Sequence, residues 1–221
     1  ELKLALKTAA SLAEDKIQGP LIRLLLGDGT PSFIPAAPAE KNATLNDIQK
    51  LALQQALDAR DIAIIHGPPG TGKTSTLVAT VLNLAKRGEK ILVVAPSNNA
   101  VDLLSQKINE AGIEVLRLGN PARVSEKIMA LTLEEKLARH PDRKQLKDLK
   151  KKAAEFKRMA HQYKRQFGKA EREQRNALFN EAHKIMKDAD RIEDSMLADL
   201  IGKTQVVAAT LVGARHFSLH Q

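Results

Sequence analysis

The chain has 221 residues, 43% apolar and 28% charged, enough for a buried core in one domain, or one domain plus an insertion, and too apolar for wholesale disorder. No apolar run approaches the roughly 20 residues of a membrane span, no charged-then-apolar leader opens the chain, and cysteine is absent, which excludes disulfides and thiolate metal sites. A reducing compartment is therefore expected, cytoplasmic or, in a eukaryote, nuclear.

Charge is uneven. Lys plus Arg number 35 against 26 for Asp plus Glu, and residues 143–191 alone hold 16 basic and 7 acidic side chains, which accounts for the whole net charge of +9. A localised basic segment points to a polyanion such as nucleic acid; the alternative is a solvated helix face. Aromatics are only 3%, which argues against a broad base-stacking platform. The first residue is Glu1, so an excised or processed piece is expected.

In chain order, residues 1–26 read as helical, with an interruption at Gly19-Pro20. Residues 27–44 are linker-like, rich in Gly, Pro and small side chains. Asn46 is a suitable N-cap for a helix from Asp47 to about Ala59. Ile62 to Ile65 is a short β-branched apolar run, which predicts a buried strand. It leads through His66 into Gly67-Pro68-Pro69-Gly70-Thr71-Gly72-Lys73-Thr74 and a helix ending near Arg87, with Gly88 as its cap. Ile91–Ala95 and Val115–Leu118 are two further strands around a helix at Val101–Ala111, and Val206–Thr210 is a later one. The β-α-β-α-β order predicts right-handed crossovers and a parallel sheet. Between the third and the last strand, Leu146, Leu149, Ala153, Phe156, Ala160, Tyr163 and Phe167 recur at alternating spacings of three and four. Leu178, Ala182, Ile185, Ala189, Ile192 and Met196 resume the pattern after Gly168. Two such stripes predict an antiparallel helical hairpin inserted into the α/β domain, each arm on the order of 35 Å long.

The octapeptide at Gly67 matches the phosphate-loop pattern G-x-x-x-x-G-K-[ST]. Its glycines let backbone N–H groups approach phosphates, and the helix that follows directs its positive dipole end at the same anion. Lys73 supplies a point charge to the β and γ phosphates, and the Thr74 hydroxyl is placed to ligate Mg²⁺. A nucleotide is expected against Gly67, Pro68, Pro69, Gly70, Thr71, Gly72, Lys73, Thr74 and Ser75. Gln49, 18 residues before Gly67, carries the donors and the acceptor that could read the adenine edge; on an ordinary helix it would be plain surface.

Five segments occur in a telling order: Leu45-Asn46-Asp47-Ile48-Gln49, His66 with GPPGTGKT, Ala95-Pro96-Ser97-Asn98-Asn99-Ala100-Val101-Asp102, Arg117-Leu118-Gly119-Asn120-Pro121-Ala122-Arg123, and Ala209-Thr210-Leu211-Val212-Gly213-Ala214. Together they resemble the superfamily 1 helicases, most closely the branch of the RNA-surveillance and immunoglobulin mu-binding helicases. The phosphate loop alone would fit AAA-type ATPases equally well; the Ser-Asn-Asn-Ala-Val-Asp run favours the helicases.

The resemblance implies a RecA-like P-loop NTPase domain, ATP and Mg²⁺ as cofactors, single-stranded DNA or RNA as partner, and 5′ to 3′ polarity. It makes Gln49 the adenine-reading residue, and it places Pro96, Ser97, Asn98 and Thr210 against the nucleic-acid backbone. Ser97 and Asn98 would otherwise be plain turn and capping residues. It also places a helical insertion where the hairpin is predicted, facing nucleic acid or serving as a stalk. The expected organisation is an N-terminal helical segment and linker (1–44), the P-loop part of the first RecA-like domain (45–124), a helical insertion (125–203) and a return to the RecA-like domain (204–221).

The family's hydrolytic Asp-Glu pair follows an apolar strand, and no such string occurs in these residues. The second RecA-like domain, with its arginine fingers, is a further partner that these residues do not supply. The chain thus reads as the front part of a helicase core, hydrolytically inactive alone. Two other functions stay open: another P-loop ATPase of the AAA type, and a non-enzymatic nucleic-acid-binding module built on the basic hairpin.

Overall fold

The computed structural model describes residues 19–39, 44–119, 124–162 and 168–215. The predicted helix over 1–18, Tyr163 and Phe167 of the first apolar stripe, and 120–123 of the Arg117 motif lie outside them. The chain forms two compact units, Glu1–Arg87 and Gly88–Gln221.

The first unit is helical. Among the described residues, α1 spans Gly19–Leu25, so the Gly19-Pro20 pair, where the sequence suggested an interruption, is itself helical. α2 (Asp47–Asp58) is opened by the expected cap: Asn46 Oδ1 accepts from the Gln49 N–H at 2.9 Å, and Gln49 Oε1 accepts from the Asn46 N–H at 2.9 Å. α3 (Lys73–Lys86) follows the phosphate loop. Leu45, Leu53 and Leu57 pack with Ala79 into a small core against Ala36, Ala39 and Leu84.

The predicted buried strand Ile62–Ile65 is not one. The segment forms no ladder, and Ile64 is 86% exposed. A strand is stabilised by its neighbours rather than by its own propensity, and among the described residues nothing pairs with this run.

The second unit carries the sheet. β1 (Ile91–Ala95) and β2 (Val115–Arg117) both pair in parallel with β3 (Val206–Thr210), which lies between them. In register, Val93 stands beside Ala208 and Ala208 beside Arg117. Because side chains alternate along a strand, these three share a face, and Leu92, Val207 and Leu116 share the other.

α4 (Asn98–Glu110) packs against all three strands and buries Val101, Leu104 and Ile108. A 3₁₀ turn over Glu126–Leu131 and α5 (Leu133–Ala138) follow β2; the sequence reading did not anticipate either. Leu116, Leu118, Val207 and Ala209 form a core with Leu133 and with Leu197 of α7 (Lys169–Lys203).

α6 (Arg143–His161) lies along α7. Leu146 packs with Ala189 and Met196, Lys150 reaches Glu193 at 2.6 Å, and His161 meets Phe179 edge-on with ring centroids 5.4 Å apart. As residue numbers rise along α6 they fall along α7, so the two helices run antiparallel. The end of α7 is fastened by Lys90, whose ammonium donates to the carbonyls of Gly202 and, at 2.9 Å, Thr204. These are orphan carbonyls of a helix C-terminus, where a cation is favoured.

Candidate functional site

In the first unit the phosphate loop is held by its own side chains. Gly70 and Gly72 take positive φ of 82° and 79°, which glycine adopts without strain. The Lys73 ammonium donates to the carbonyls of Gly67 at 2.5 Å and Pro68 at 2.7 Å. The Thr71 hydroxyl donates to the Pro68 carbonyl at 2.8 Å. Lys73 and Ser75 are exposed and Thr74 half-buried, all in the first turn of α3. Pro68 and Pro69 are exposed on the loop.

Gln49 belongs to this arrangement. Its Nε2 donates to the Thr71 carbonyl at 2.9 Å while its Oε1 serves the Asn46 cap. A Cβ on Gly72 would push against the Gln49 amide, which would have to shift; the positive φ is what favours glycine there. Of the amide's two donor hydrogens and two acceptor lone pairs, one of each is thus engaged and one of each remains.

A cation, a helix N-terminus and backbone free to approach an anion converge at this loop, and that chemistry fits a nucleotide's phosphates. The Thr74 hydroxyl beside Lys73 is a hard oxygen donor of the kind Mg²⁺ takes.

In the second unit β1 and β3 end side by side, with Ala95 in register with Thr210. The Leu211 N–H donates to the Ala95 carbonyl at 3.3 Å, and the Thr210 hydroxyl accepts from the Gly213 N–H at 3.0 Å. Pro96, Ser97, Asn98 and Thr210 therefore lie at one carboxyl edge of a parallel sheet, where ligands of open α/β folds bind. Ser97 is the N-cap of α4, its hydroxyl accepting from the Ala100 N–H at 3.3 Å. Asn98 is half-buried, and its Oδ1 accepts from Arg117 at 2.8 Å.

Arg117 is the residue whose role the sequence reading missed. It is fully buried at the end of β2, on the face covered by α4. Its Nε donates to Asp102 Oδ1 at 3.0 Å, and Asp102 Oδ2 accepts from the Ser125 N–H at 3.0 Å. A guanidinium in an otherwise apolar strand must find such partners, so the charge inside Val-Leu-Arg-Leu was the available signal.

The basic charge is concentrated on one helix. α6 carries eight basic and two acidic residues, and α7 seven basic and eight acidic. Arg143, Lys144, Lys147, Lys151, Lys152, Lys157 and Arg158 are exposed. Lys150 is not free in the same sense, because it is paired with Glu193. At the base of the two helices, Asp199 accepts from Lys203 at 2.7 Å and faces His140 at 3.3 Å. The Lys203 hydrogen bond first, and His140 after it, hold the Asp199 carboxyl below the ordinary carboxylate range. Among the described residues no helix is long and apolar enough to cross a membrane.

A glycine-rich turn opening a helix, with a parallel sheet flanked by helices, defines an α/β P-loop NTPase. Residues 44–221 match a protein-family model described as an AAA domain. The chain belongs to this family, and its motifs are those of the RNA-surveillance branch of the superfamily 1 helicases. It is 36% identical over 200 residues to the rat DNA-binding protein SMUBP-2, a match covering 88% of this chain and 19% of that protein. It is 34% identical over 173 residues to the fission-yeast DNA polymerase alpha-associated DNA helicase A, 78% of this chain and 25% of that protein. It is 36% identical over 181 residues to the Arabidopsis regulator of nonsense transcripts 1 homolog, 80% of this chain and 13% of that protein. The chain spans a quarter or less of each of these relatives. The AAA description and the helicase names attach to the same stretch, and nothing in these comparisons favours the AAA-type remodeller.

Proposed function

We propose that the chain is the ATP-binding part of an ATP-dependent helicase or translocase that moves on single-stranded DNA or RNA. The observation that carries this reading is the Gly72–Lys73 turn, where an exposed ammonium, a helix N-terminus and left-handed glycines meet. On nucleotide binding, Lys73 exchanges its bonds to the Gly67 and Pro68 carbonyls for the phosphates, and the loop N–H groups hold the same anion. Thr74 would hold Mg²⁺, which supplies charge neutralisation at the phosphates. Gln49 reads adenine: the donor hydrogen and lone pair left on its amide are the complement of adenine N7 and N6–H₂.

In the same reading, Pro96, Ser97, Asn98 and Thr210 grip the nucleic-acid backbone without reading sequence. Residues 45–124 and 204–221 belong to the first RecA-like domain, and 125–203 form the helical insertion whose basic α6 adds salt-sensitive affinity. The remainder of the helicase core, a second RecA-like domain, is the protein partner. No apolar strand followed by Asp-Glu occurs in these residues, so the chain by itself is expected to bind ATP without turning it over appreciably.

Two of the relatives are named for DNA and one for transcripts, and the reading covers a DNA or an RNA track. The deciding experiment is Lys73→Ala. Calorimetric titration of this chain with ATP–Mg²⁺, and nucleic-acid-stimulated hydrolysis in the protein that contains it, should both be lost. Undiminished binding and turnover in that variant would overturn the reading.

A further inference from the structure

Asn98 is an amide whose two ends cannot be interchanged. A guanidinium donates only, so the atom that meets Arg117 Nη2 at 2.8 Å has to be the Asn98 oxygen. Among the described residues nothing accepts from the Asn98 Nδ2 group. Arg117 cannot easily do otherwise. It is fully buried, its Nε is committed to Asp102 at 3.0 Å, and its Nη1 donates to the Leu118 carbonyl. Gly119 makes room for it: a Cβ there would stand 2.6 Å from Nη1, and φ at Gly119 is +142°. Asp102 in turn holds the Ser125 N–H at 3.0 Å, so one buried carboxylate–guanidinium pair fixes the end of β2, the first turns of α4 and the start of the 3₁₀ turn.

We propose that Arg117 is a positioning residue for single-stranded nucleic acid: it fixes the orientation of the Asn98 amide so that the NH₂ group, a donor, is presented to a backbone phosphate. This rests on the reading of Asn98 as a backbone contact. Phosphate oxygens only accept, so an Asn98 held in the opposite orientation would present a carbonyl and repel the strand. The arrangement is an electrostatic filter made from a neutral side chain, with its sign set by a charge that the nucleic acid never touches.

The test is a cycle on this chain, read as affinity for a labelled oligodeoxythymidylate. Asn98→Ala removes the donor and should weaken binding about tenfold, the loss of one hydrogen bond to a charged group. Arg117→Lys keeps a cation for Asp102, but a single ammonium on a shorter reach does not also hold Asn98; it should weaken binding by a similar factor. The double variant should bind no more weakly than either single one, because both remove the same oriented donor. Asn98→Asp should keep the fold, with its carboxylate facing Arg117, and bind more weakly than Asn98→Ala.

Wild-type binding in Asn98→Ala removes Asn98 from the interface and overturns the contact and the inference together. Weakened Asn98→Ala with wild-type binding in Arg117→Lys, or effects that multiply in the double variant, overturns the inference and leaves the contact standing. The unmodified chain offers a check that no folding defect can blur. In its NMR spectrum, the Asn98 NH₂ pair should shift when the oligonucleotide is added, while the Arg117 Nε–H stays in place and exchanges slowly. An Arg117 Nε–H that exchanges rapidly, or that shifts more than the Asn98 pair, contradicts the proposal.

Discussion

Two turns that lead into helices in this molecule are built in opposite ways. The phosphate loop is exposed, glycine-rich and bonded mainly to itself through Lys73, Thr71 and Gln49. The turn at Pro96–Asn98 has no glycine, and a fully buried guanidinium braces it from behind. The segments that feed them differ likewise. Ile91–Ala95 is a strand paired with β3, whereas Ile62–Ile65, of similar composition, has no ladder. The first turn can exchange its internal hydrogen bonds for an anion at little cost. The second holds its polar groups in fixed directions. The loop proposed to wrap a ligand is built from replaceable contacts, and the one proposed to present a donor is built from contacts costly to break.

The sharpest way to break this comparison is to attack the brace. Arg117→Met fills a similar volume but leaves the Asp102 carboxylate buried without its cation, and should cost about 3–5 kcal/mol of stability. Urea unfolding of the chain measures it. A loss under about 1 kcal/mol would place the second turn with the first as self-sufficient.

Lys73→Ala makes the opposite case. It should leave stability nearly unchanged, since Lys73 is exposed, while reducing nucleic-acid-stimulated ATP turnover in the full protein by about 10²-fold or more. A thermal melt beside the turnover assay separates the two effects.

Substitutions on the basic face of α6 test whether it adds to the nucleic-acid contact proposed at the sheet edge. Replacing Lys147, Lys151, Lys157 and Arg158 with Gln spares the Lys150–Glu193 pair and keeps helix propensity. The slope of log affinity against log salt for a single strand should become shallower by about 0.7 for each phosphate contact removed. An unchanged slope would make α6 a structural strut.

Gln49→Ala bears on the first turn alone. Losing half of the capping box and the latch on Thr71 should cost about 1 kcal/mol. The preference for ATP over GTP should fall about tenfold, a readout in competition binding that a purely structural Gln49 would leave unmoved.

The smallest effect is one of pH. Asp199 is held below the ordinary carboxylate range by Lys203 and His140, so its contribution is fully present above the unfolded carboxylate pKa. It fades as the pH falls through the lowered folded value. Asp199→Asn should remove that acid-side loss and leave neutral stability close to wild type, as acid titration of the unfolding midpoint would record.

Much of this was legible in the residues, because local rules act within a few positions. The Asn46 N-cap and the extents of β1 and β3 follow from spacing and side-chain chemistry that neighbours alone decide. So does the composition of the phosphate loop, whose glycines and lysine lie within seven residues. The charge of residues 143–191 was countable, but its concentration on α6 emerges only once the helices are bounded.

What the tertiary structure decided involves partners far apart in the chain. β3, last in sequence, lies between β1 and β2, an order that no local pattern encodes. Ile62–Ile65 has strand composition and no strand, because pairing is a property of two segments and not of one. Gln49 was expected to face adenine; what the folded chain adds is its latch on Thr71, 22 positions on. Arg117 looked like one letter of a motif. Its partners at Asp102 and Asn98, 15 and 19 residues back, make it the brace of the second turn. A buried charge must be neutralised by whatever folding brings beside it, and only the folded chain determines which residues those are.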